Sequence, residues 1–174
     1  MMDRQPILTD GMFTLRPLKL DGHTGLFVVS DKTTWAGHPS NDRWKPHIFA
    51  PYFDGLLGSG ETLAIVHGDR IVGCSRFYTP EEDPHDAAIG YTFLHHSLWG
   101  GTANRAVKSI MLSHAFAHHD RVWFHIGPSN IRSQKATAKL GAKLTGIGPR
   151  TVGGVTSDWL AYTLSKPDWA AVSD

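Results

Sequence analysis

The chain has 174 residues, of which 41% are hydrophobic and 19% charged, and its 17 basic and 16 acidic residues give a formal net charge of +1. This composition excludes a disordered chain, and the length predicts one domain over residues 1–174. The absence of basic runs argues against a nucleic-acid partner, and no apolar stretch approaches the ~20 residues of a membrane helix or the core of a secretory signal.

The first third of the chain predicts one strand and two helices. Alternating apolar and polar residues predict a strand over Met12–Leu18. A helix is predicted from Asp21 to Val29, and the turn-rich segment Ser30–Asn41 is expected to be irregular. Apolar residues at helical spacing predict a second helix from Pro46 to Leu57.

A β-hairpin is predicted next in the chain. Two β-prone runs, Thr62–Val66 and Arg70–Tyr78, are joined by a short turn at Gly68-Asp69. Cys74 lies in the second run and is the only cysteine, so no internal disulfide can form. We therefore expect Cys74 to be a small buried residue and the protein to be cytoplasmic.

The centre of the chain predicts an anion-binding turn. An acidic, proline-containing loop over Thr79–Asp86 precedes a predicted strand, Ala87–Leu94. The adjacent glycines Gly100 and Gly101 then lead into an amphipathic helix predicted to end near His119. A strand that runs through a glycine turn into a helix presents free backbone N–H groups to an anion.

The last third predicts a strand, a helix and two strands. The strand covers Val122–Ile126, and the helix covers about Ile131–Leu140, with Ser129 or Asn130 as its N-cap. Two final strands are expected over Leu144–Thr151 and Asp158–Leu164. The order of elements predicts a mixed α/β or α+β domain built on one sheet.

Two local motifs occur within this order of elements. The first is Ile89-Gly90-Tyr91 followed by Trp99-Gly100 and the helix, and the second is Asn130, Ser133 and Lys139-Leu140-Gly141. The motifs and their order resemble the GNAT superfamily of acyl-CoA-dependent N-acetyltransferases, most strongly the branch that acetylates N-terminal amines of ribosomal proteins (RimJ/RimL-like). The resemblance implies a mixed, mainly antiparallel central sheet with helices on both faces.

The resemblance implies an enzyme that moves an acetyl group from acetyl-CoA, as co-substrate, directly to a primary amine. The amine would be a protein N-terminus or a small molecule, with neither nucleic acid nor membrane as partner, and homodimer formation stays open. The alternative is a non-catalytic acyl-CoA-binding module. The resemblance also carries an expectation that the central strand splays from its neighbour, so that backbone N–H groups near Phe93 and Leu94 polarise the thioester.

The same resemblance supplies the cofactor-binding residues. Asn130 would contact the pantetheine amide while it caps its helix, and Lys108 is expected to be a solvated helix charge. Thr102 and Asn104 stand where the family has small residues. The residues expected at the pyrophosphate are Gly101, Thr102, Ala103, Asn104 and Arg105.

The catalytic groups follow less directly, because Ala88 and Thr137 stand where many members carry a Glu and a Tyr. Ser133 is expected to protonate the thiolate. Strand alternation puts Asp86 on the face of Ala88, which makes Asp86 the predicted base. The alternatives are a chain of water molecules or one of Glu81, Glu82, His95 and His96.

Two further groups of residues are candidates for binding roles. Aromatic residues near the early helices are expected to line the acceptor site, in particular Trp35 and Tyr52. His114 and His118 share one helical face, but the Glu of a zinc-protease helix is absent between them. We therefore predict no metal site and disfavour a metal hydrolase.

Overall fold

The computed structural model describes residues 1–173, which contain eight strands and six α-helices. The strands are β1 Leu8–Thr9, β2 Phe13–Pro17, β3 Thr62–His67, β4 Arg70–Tyr78, β5 Ala87–Leu94, β6 Arg121–Ile126, β7 Lys143–Val152 and β8 Val155–Ser165. The helices are α1 His23–Val29, α2 Lys32–Trp35, α3 Pro46–Gly58, α4 Ala103–Phe116, α5 Ile131–Lys139 and α6 Lys166–Ser173. No helix within residues 1–173 has both the length and the apolarity needed to span a bilayer.

The predicted elements are confirmed, with small changes at their ends. Helix α4 ends at Phe116, three residues before the predicted end at His119. Helix α2 lies inside the segment that was predicted to be irregular, where the Asp31 side chain accepts a hydrogen bond from the Thr34 N–H and caps the helix. Strand β1 and helix α6 were not predicted.

The sheet has the order β1-β2-β3-β4-β5-β6-β8-β7 and is antiparallel except between β5 and β6. These two strands pair at only two positions, Ala87 with Val122 and Ala88 with Trp123. Beyond Ala88, β5 pairs with β4 alone, so β5 and β6 diverge. The splay that the resemblance implied is therefore present.

A distortion of β5 accompanies this divergence. The β4–β5 register shifts between Cys74 and Arg76, and Tyr91 adopts a φ of 52°, which is unusual for a residue with a side chain. At Gly73 the two strands approach so closely that a Cβ would lie 1.9 Å from the carbonyl oxygen of Phe93. Only glycine fits there without displacing a strand.

Helices cover both faces of the sheet, as the predicted fold class requires. On one face Val107 and Met111 of α4 belong to the same buried cluster as Ile89 of β5. On the other face Phe53 of α3 packs with Cys74 of β4. Cys74 is fully buried, which confirms its predicted packing role, and burial raises the pKa of its thiol to about 12.

Candidate functional site

The divergence of β5 from β6 opens two connected spaces, which we call the outer groove and the inner cavity. The outer groove, of about 620 Å³, lies between the end of β5, the start of α4 and helix α5. The inner cavity, of about 100 Å³, extends between β5 and β6 towards the β7–β8 hairpin. Five residues line both spaces and form their junction: Thr92, Lys108, Asn130, Ser133 and Thr137.

The N-terminus of α4 opens into the outer groove. Gly100 turns the chain with a φ of 74°, and Ala103 then begins the helix. Thr102 occupies the N-cap position, but its side chain accepts no hydrogen bond from the helix. The first N–H groups of α4 are therefore free to bind a ligand. Gly101, Thr102 and Asn104 line the groove, as expected of a cradle for an anion.

The cations of the outer groove come mainly from α5, which the sequence did not single out. Arg105 lines the groove, but its guanidinium donates to the carbonyls of Lys139 (3.2 Å) and Val172 (2.6 Å). Arg132, Lys135 and Lys139 line the opposite side. Their spacing of three and four residues places them on one helix face, a signal that the sequence does contain.

The predicted residues of β5 and of the start of α5 all line the outer groove. The side chains of Phe93 and Leu94 are buried in the two hydrophobic clusters, and the same two residues line the outer groove. The Asn130 side chain accepts a hydrogen bond from the Ser133 N–H at 3.2 Å and so caps α5. Asn130 and Ser133 both belong to the junction, so their predicted roles are compatible with their positions.

Lys108 is not the solvated helix charge that we expected. Only 6% of the residue is exposed, and Nζ donates a hydrogen bond to Thr92 Oγ1 at 2.7 Å. Thr92 Oγ1 lies 2.6 Å from the Ser75 hydroxyl, and the ring of Phe124 is 5.9 Å from Nζ. Burial lowers the pKa of Lys108 to about 7, so its amine exchanges protons near neutral pH.

A chain of three side chains runs from the inner cavity to the surface. The hydroxyl of Tyr78 lies 2.7 Å from Nδ1 of His125, and Nε2 of His125 lies 2.8 Å from Oε1 of Glu82. Hydrogen bonding to His125 helps to outweigh burial and lowers the pKa of Glu82, which is therefore ionised and accepts from the imidazole. Nδ1 of a neutral His125 then accepts from the Tyr78 hydroxyl.

Burial lowers the pKa of His125 and raises that of Tyr78, in agreement with this protonation pattern. Tyr78 pairs directly with Ala88, so the two side chains share one face of the sheet. The sequence analysis gave Glu82 as an alternative base. It did not indicate Tyr78 or His125, which lie on β4 and β6. A Cβ on Gly90 would lie 3.0 Å from the Tyr78 ring, so this glycine allows the ring its position.

Asp86 lies on the predicted face but lines neither space. Its Oδ2 accepts hydrogen bonds from Arg121 Nε and, at 2.7 Å, from Trp123 Nε1. The residue is 9% exposed. The carboxylate thus ties β6 to the loop before β5, and this geometry gives no support to Asp86 as the base.

Trp35 and Tyr52 lie behind the wall of the inner cavity and do not line it themselves. Trp35 is buried, and its indole N–H donates to the Ser30 hydroxyl at 2.6 Å. The guanidinium of Arg43 packs against both rings, 4.8 Å from Trp35 and 4.1 Å from Tyr52, and Arg43 reaches the cavity. The predicted aromatic residues therefore hold a cation that the sequence did not indicate.

The histidines that the sequence offered as base or metal candidates lie in two other regions of the described chain. His95 and His96 hydrogen-bond to the two carboxylate oxygens of Asp31, at 2.8 and 3.2 Å, and neither lines the inner cavity or the outer groove. These three residues carry ligand-type atoms within 4.8 Å of one another. His114 Nε2 lies 2.8 Å from the Asp3 carbonyl and so contacts the N-terminal segment.

Comparison with known proteins found a family match and structural likenesses. Residues 13–143 match the family described as acetyltransferase (GNAT) domain. No curated protein matches the chain.

Three of the similar solved structures come from named bacteria. The chain is 16% identical to a GCN5-related N-acetyltransferase from Brucella melitensis, with 99% of this chain and 84% of the other covered and a TM-score of 0.84. It is 26% identical to a candidate acetyltransferase from T. thermophilus, over 99% and 95% of the chains with a TM-score of 0.82. It is 20% identical to Mycobacterium smegmatis RimJ in complex with CoA-disulfide, over 94% and 87% with a TM-score of 0.68.

Proposed function

Since the chain belongs to the acetyltransferase (GNAT) family, we propose that it transfers an acetyl group from acetyl-CoA directly to a primary amine. The observation that carries this proposal is the junction of the outer groove and the inner cavity at the splayed end of β5. Two substrates that enter from opposite sides meet there without a covalent enzyme intermediate. The complex of Mycobacterium smegmatis RimJ with CoA-disulfide supports CoA as the carrier of the acetyl group.

The outer groove has the chemistry that a CoA molecule requires. Among the described residues that line it there is no Asp or Glu, while α4 presents free N–H groups and α5 presents three cations. We place the pyrophosphate at the backbone of Gly101, Thr102, Ala103 and Asn104, with the pantetheine amide at Asn130. Backbone N–H groups near Phe93 and Leu94 would then polarise the thioester carbonyl.

Tyr78, His125 and Glu82 form the proton path for the acceptor amine. As the amine nitrogen bonds to the acetyl carbon, its proton moves to the Tyr78 oxygen while the Tyr78 proton moves to His125 Nδ1. Glu82 stabilises the resulting imidazolium through Nε2. Tyr78 lies beside Ala88, so this path replaces the Glu that other family members carry at that position.

Lys108 supplies the proton for the departing thiolate. It belongs to the junction together with Thr137, which stands where many family members have a Tyr. An ammonium with a pKa near 7 donates a proton readily near neutral pH, and the Ser133 hydroxyl can hydrogen-bond to the sulfur beside it. When the C–S bond breaks, the Nζ proton passes to the sulfur and the neutral amine recovers its proton from solvent.

The finer assignments belong to the same proposal. The motifs Ile89-Gly90-Tyr91 and Asn130–Gly141 support the branch that acetylates N-terminal amines, with small-molecule amines as the other acceptor class. We also propose that residues 1–174 form one acyltransferase domain that acts in the cytoplasm. The alternative, a non-catalytic acyl-CoA-binding module, would bind CoA but leave the thioester intact.

Calorimetry and thiol release together test this function. Wild-type protein should bind CoA at one site and release free CoA from acetyl-CoA when a substrate amine is added. Thr102→Glu should weaken CoA binding at least tenfold because a carboxylate would face the pyrophosphate. Thr24→Glu, an exposed first-turn threonine of α1, is the matched control. Unchanged CoA affinity in Thr102→Glu would show that the cradle is misplaced.

A further inference from the structure

The inner cavity has an excess of positive charge that the acetyl-transfer chemistry does not use. Arg43 and Arg150 line it, and none of its described lining residues is Asp or Glu. Glu82 lies nearby, and its ionised carboxylate, which accepts from His125 at 2.8 Å, offsets one of these two charges. The second arginine charge remains unbalanced beside Lys108. The cavity therefore repels a polycationic acceptor and favours a group of negative charge.

We propose that the acceptor is an amine that also carries an oxyanion, and that Arg150 and Trp159 bind this oxyanion. The inference rests on the proposed function, because it concerns the second substrate of the same site. An oxyanion is a carboxylate, phosphate or phosphonate, each of which accepts several hydrogen bonds.

Two buried N–H donors in the cavity wall support this subsite. Arg150 Nε and Trp159 Nε1 are both buried, and neither has a hydrogen-bond partner among the described residues. Buried donors without partners are rare and costly, so a site that contains two of them indicates an acceptor supplied by a ligand. Both residues line the inner cavity, and both also border a neighbouring opening that contains Glu81 and Glu82. The oxyanion is placed on the side of the inner cavity, whose lining has no Asp or Glu among the described residues.

The β7–β8 hairpin places the two donors side by side. Gly148 pairs with Trp159 and Arg150 pairs with Ser157, so Arg150 and Trp159 are diagonal neighbours on one face. Diagonal neighbours are about 7–8 Å apart at the backbone, a separation that long side chains bridge easily. A single oxyanion can therefore accept from both residues.

The position of this oxyanion subsite restricts the acceptor to a short molecule. The Arg150 guanidinium lies 5.5 Å from the ring of Tyr78, whose hydroxyl begins the proton path. The amine and the oxyanion must therefore be close together in the acceptor. The cavity of about 100 Å³ agrees with an amino acid or an aminoalkyl phosphate. Arg43 lines the cavity and is held from behind by the rings of Trp35 and Tyr52.

Calorimetry on protein saturated with CoA tests this inference, since CoA then fills the other anion site. The probes are propylamine, 3-aminopropanoate and 2-aminoethyl phosphate, which share a short chain and differ in the oxyanion. At least one anionic probe should bind tenfold or more tightly than propylamine. Arg150→Gln should abolish this preference, and Trp159→Phe, which removes the indole N–H and keeps a smaller aromatic ring, should reduce it several-fold. Arg70→Gln, an exposed arginine outside the cavity, should leave it unchanged.

The outcomes separate the two proposals. Equal binding of all three probes, or a preference that survives Arg150→Gln, would overturn the oxyanion subsite while CoA binding still stands. Failure of the wild-type protein to bind CoA in the same calorimeter would overturn the proposed function, and the inference with it. A preference for only one anionic probe identifies whether a carboxylate or a phosphate fits.

Discussion

Replacing Lys108 with Met should stabilise the protein at low pH, although Lys108 has a proposed catalytic role. Burial lowers the pKa of this ammonium from 10.5 to about 7. Each pKa unit is worth about 1.4 kcal/mol, so folding with the charge present at about pH 6 costs up to about 5 kcal/mol. Loss of the hydrogen bond to Thr92 offsets about 1 kcal/mol of this. The expected gain in the free energy of unfolding is therefore at most about 4 kcal/mol.

The sign of the pH dependence follows from the lowered pKa. Between about pH 7 and pH 10.5 the unfolded chain holds a proton on Lys108 that the folded chain has lost, so the contribution of Lys108 to stability rises with pH. The advantage of Lys108→Met over wild type should therefore shrink by about 3 kcal/mol between about pH 6 and about pH 9.5.

Urea unfolding of both proteins at these two pH values measures the difference. Lys135→Met, at an exposed position on α5, is the control and should show no such change with pH. A constant difference between Lys108→Met and wild type would refute the lowered pKa. Destabilisation of the variant at about pH 6 would refute the idea that the buried charge is costly.

Three other predictions test the proton path, Asp86 and the strand contact. His125→Gln should lower kcat by about 10²- to 10⁴-fold, and Glu82→Gln should lower it by less. The control Glu81→Gln should keep the kcat of the wild type. A wild-type kcat in His125→Gln and Glu82→Gln would exclude the proton path. Because the pKa of His125 is lowered, the acid-side fall in wild-type activity should lie at lower pH than an ordinary histidine gives. On the alkaline side, loss of the Lys108 proton above about pH 7 should lower activity. Asp86→Asn should lower the thermal midpoint and leave kcat intact, and the opposite pattern would restore Asp86 as the base. Gly73→Ala should lower the free energy of unfolding by more than about 2 kcal/mol in urea. Gly55→Ala is the control, because a Cβ at Gly55 meets nothing within 4 Å. Equal effects of the two substitutions would refute the close β4–β5 contact.

Local patterns predicted most of the fold because they act within one element. Helical spacing in α3 and the turn at Gly68 between β3 and β4 need no information from the rest of the chain. Helix α2 was missed because it has only four residues and its signal is one capping side chain, Asp31. The splay of β5 from β6 came from the resemblance, since an ordinary paired strand has the same sequence features.

The site was predictable where backbone groups form it and not where distant side chains meet. Gly101 and Thr102 follow from the order strand, turn and helix. Tyr78, His125 and Arg150 lie on three different strands, and only the sheet order brings them to one cavity. The prediction for Lys108 was wrong because a lysine on a helix is ordinarily solvated. Leu112, four residues later, is fully buried, so the buried face of α4 includes the position of Lys108.

The most direct test of the acetyltransferase proposal is mass spectrometry after incubation with acetyl-CoA that carries an isotopically labelled acetyl group. The protein would be mixed with short amines that do or do not carry an oxyanion, together with N-terminal peptides. We predict that label appears on the amino group of an oxyanion-bearing amine, in step with the release of free CoA. Protein that binds acetyl-CoA but leaves its thioester intact with every amine would contradict catalysis and favour a non-catalytic acyl-CoA-binding module.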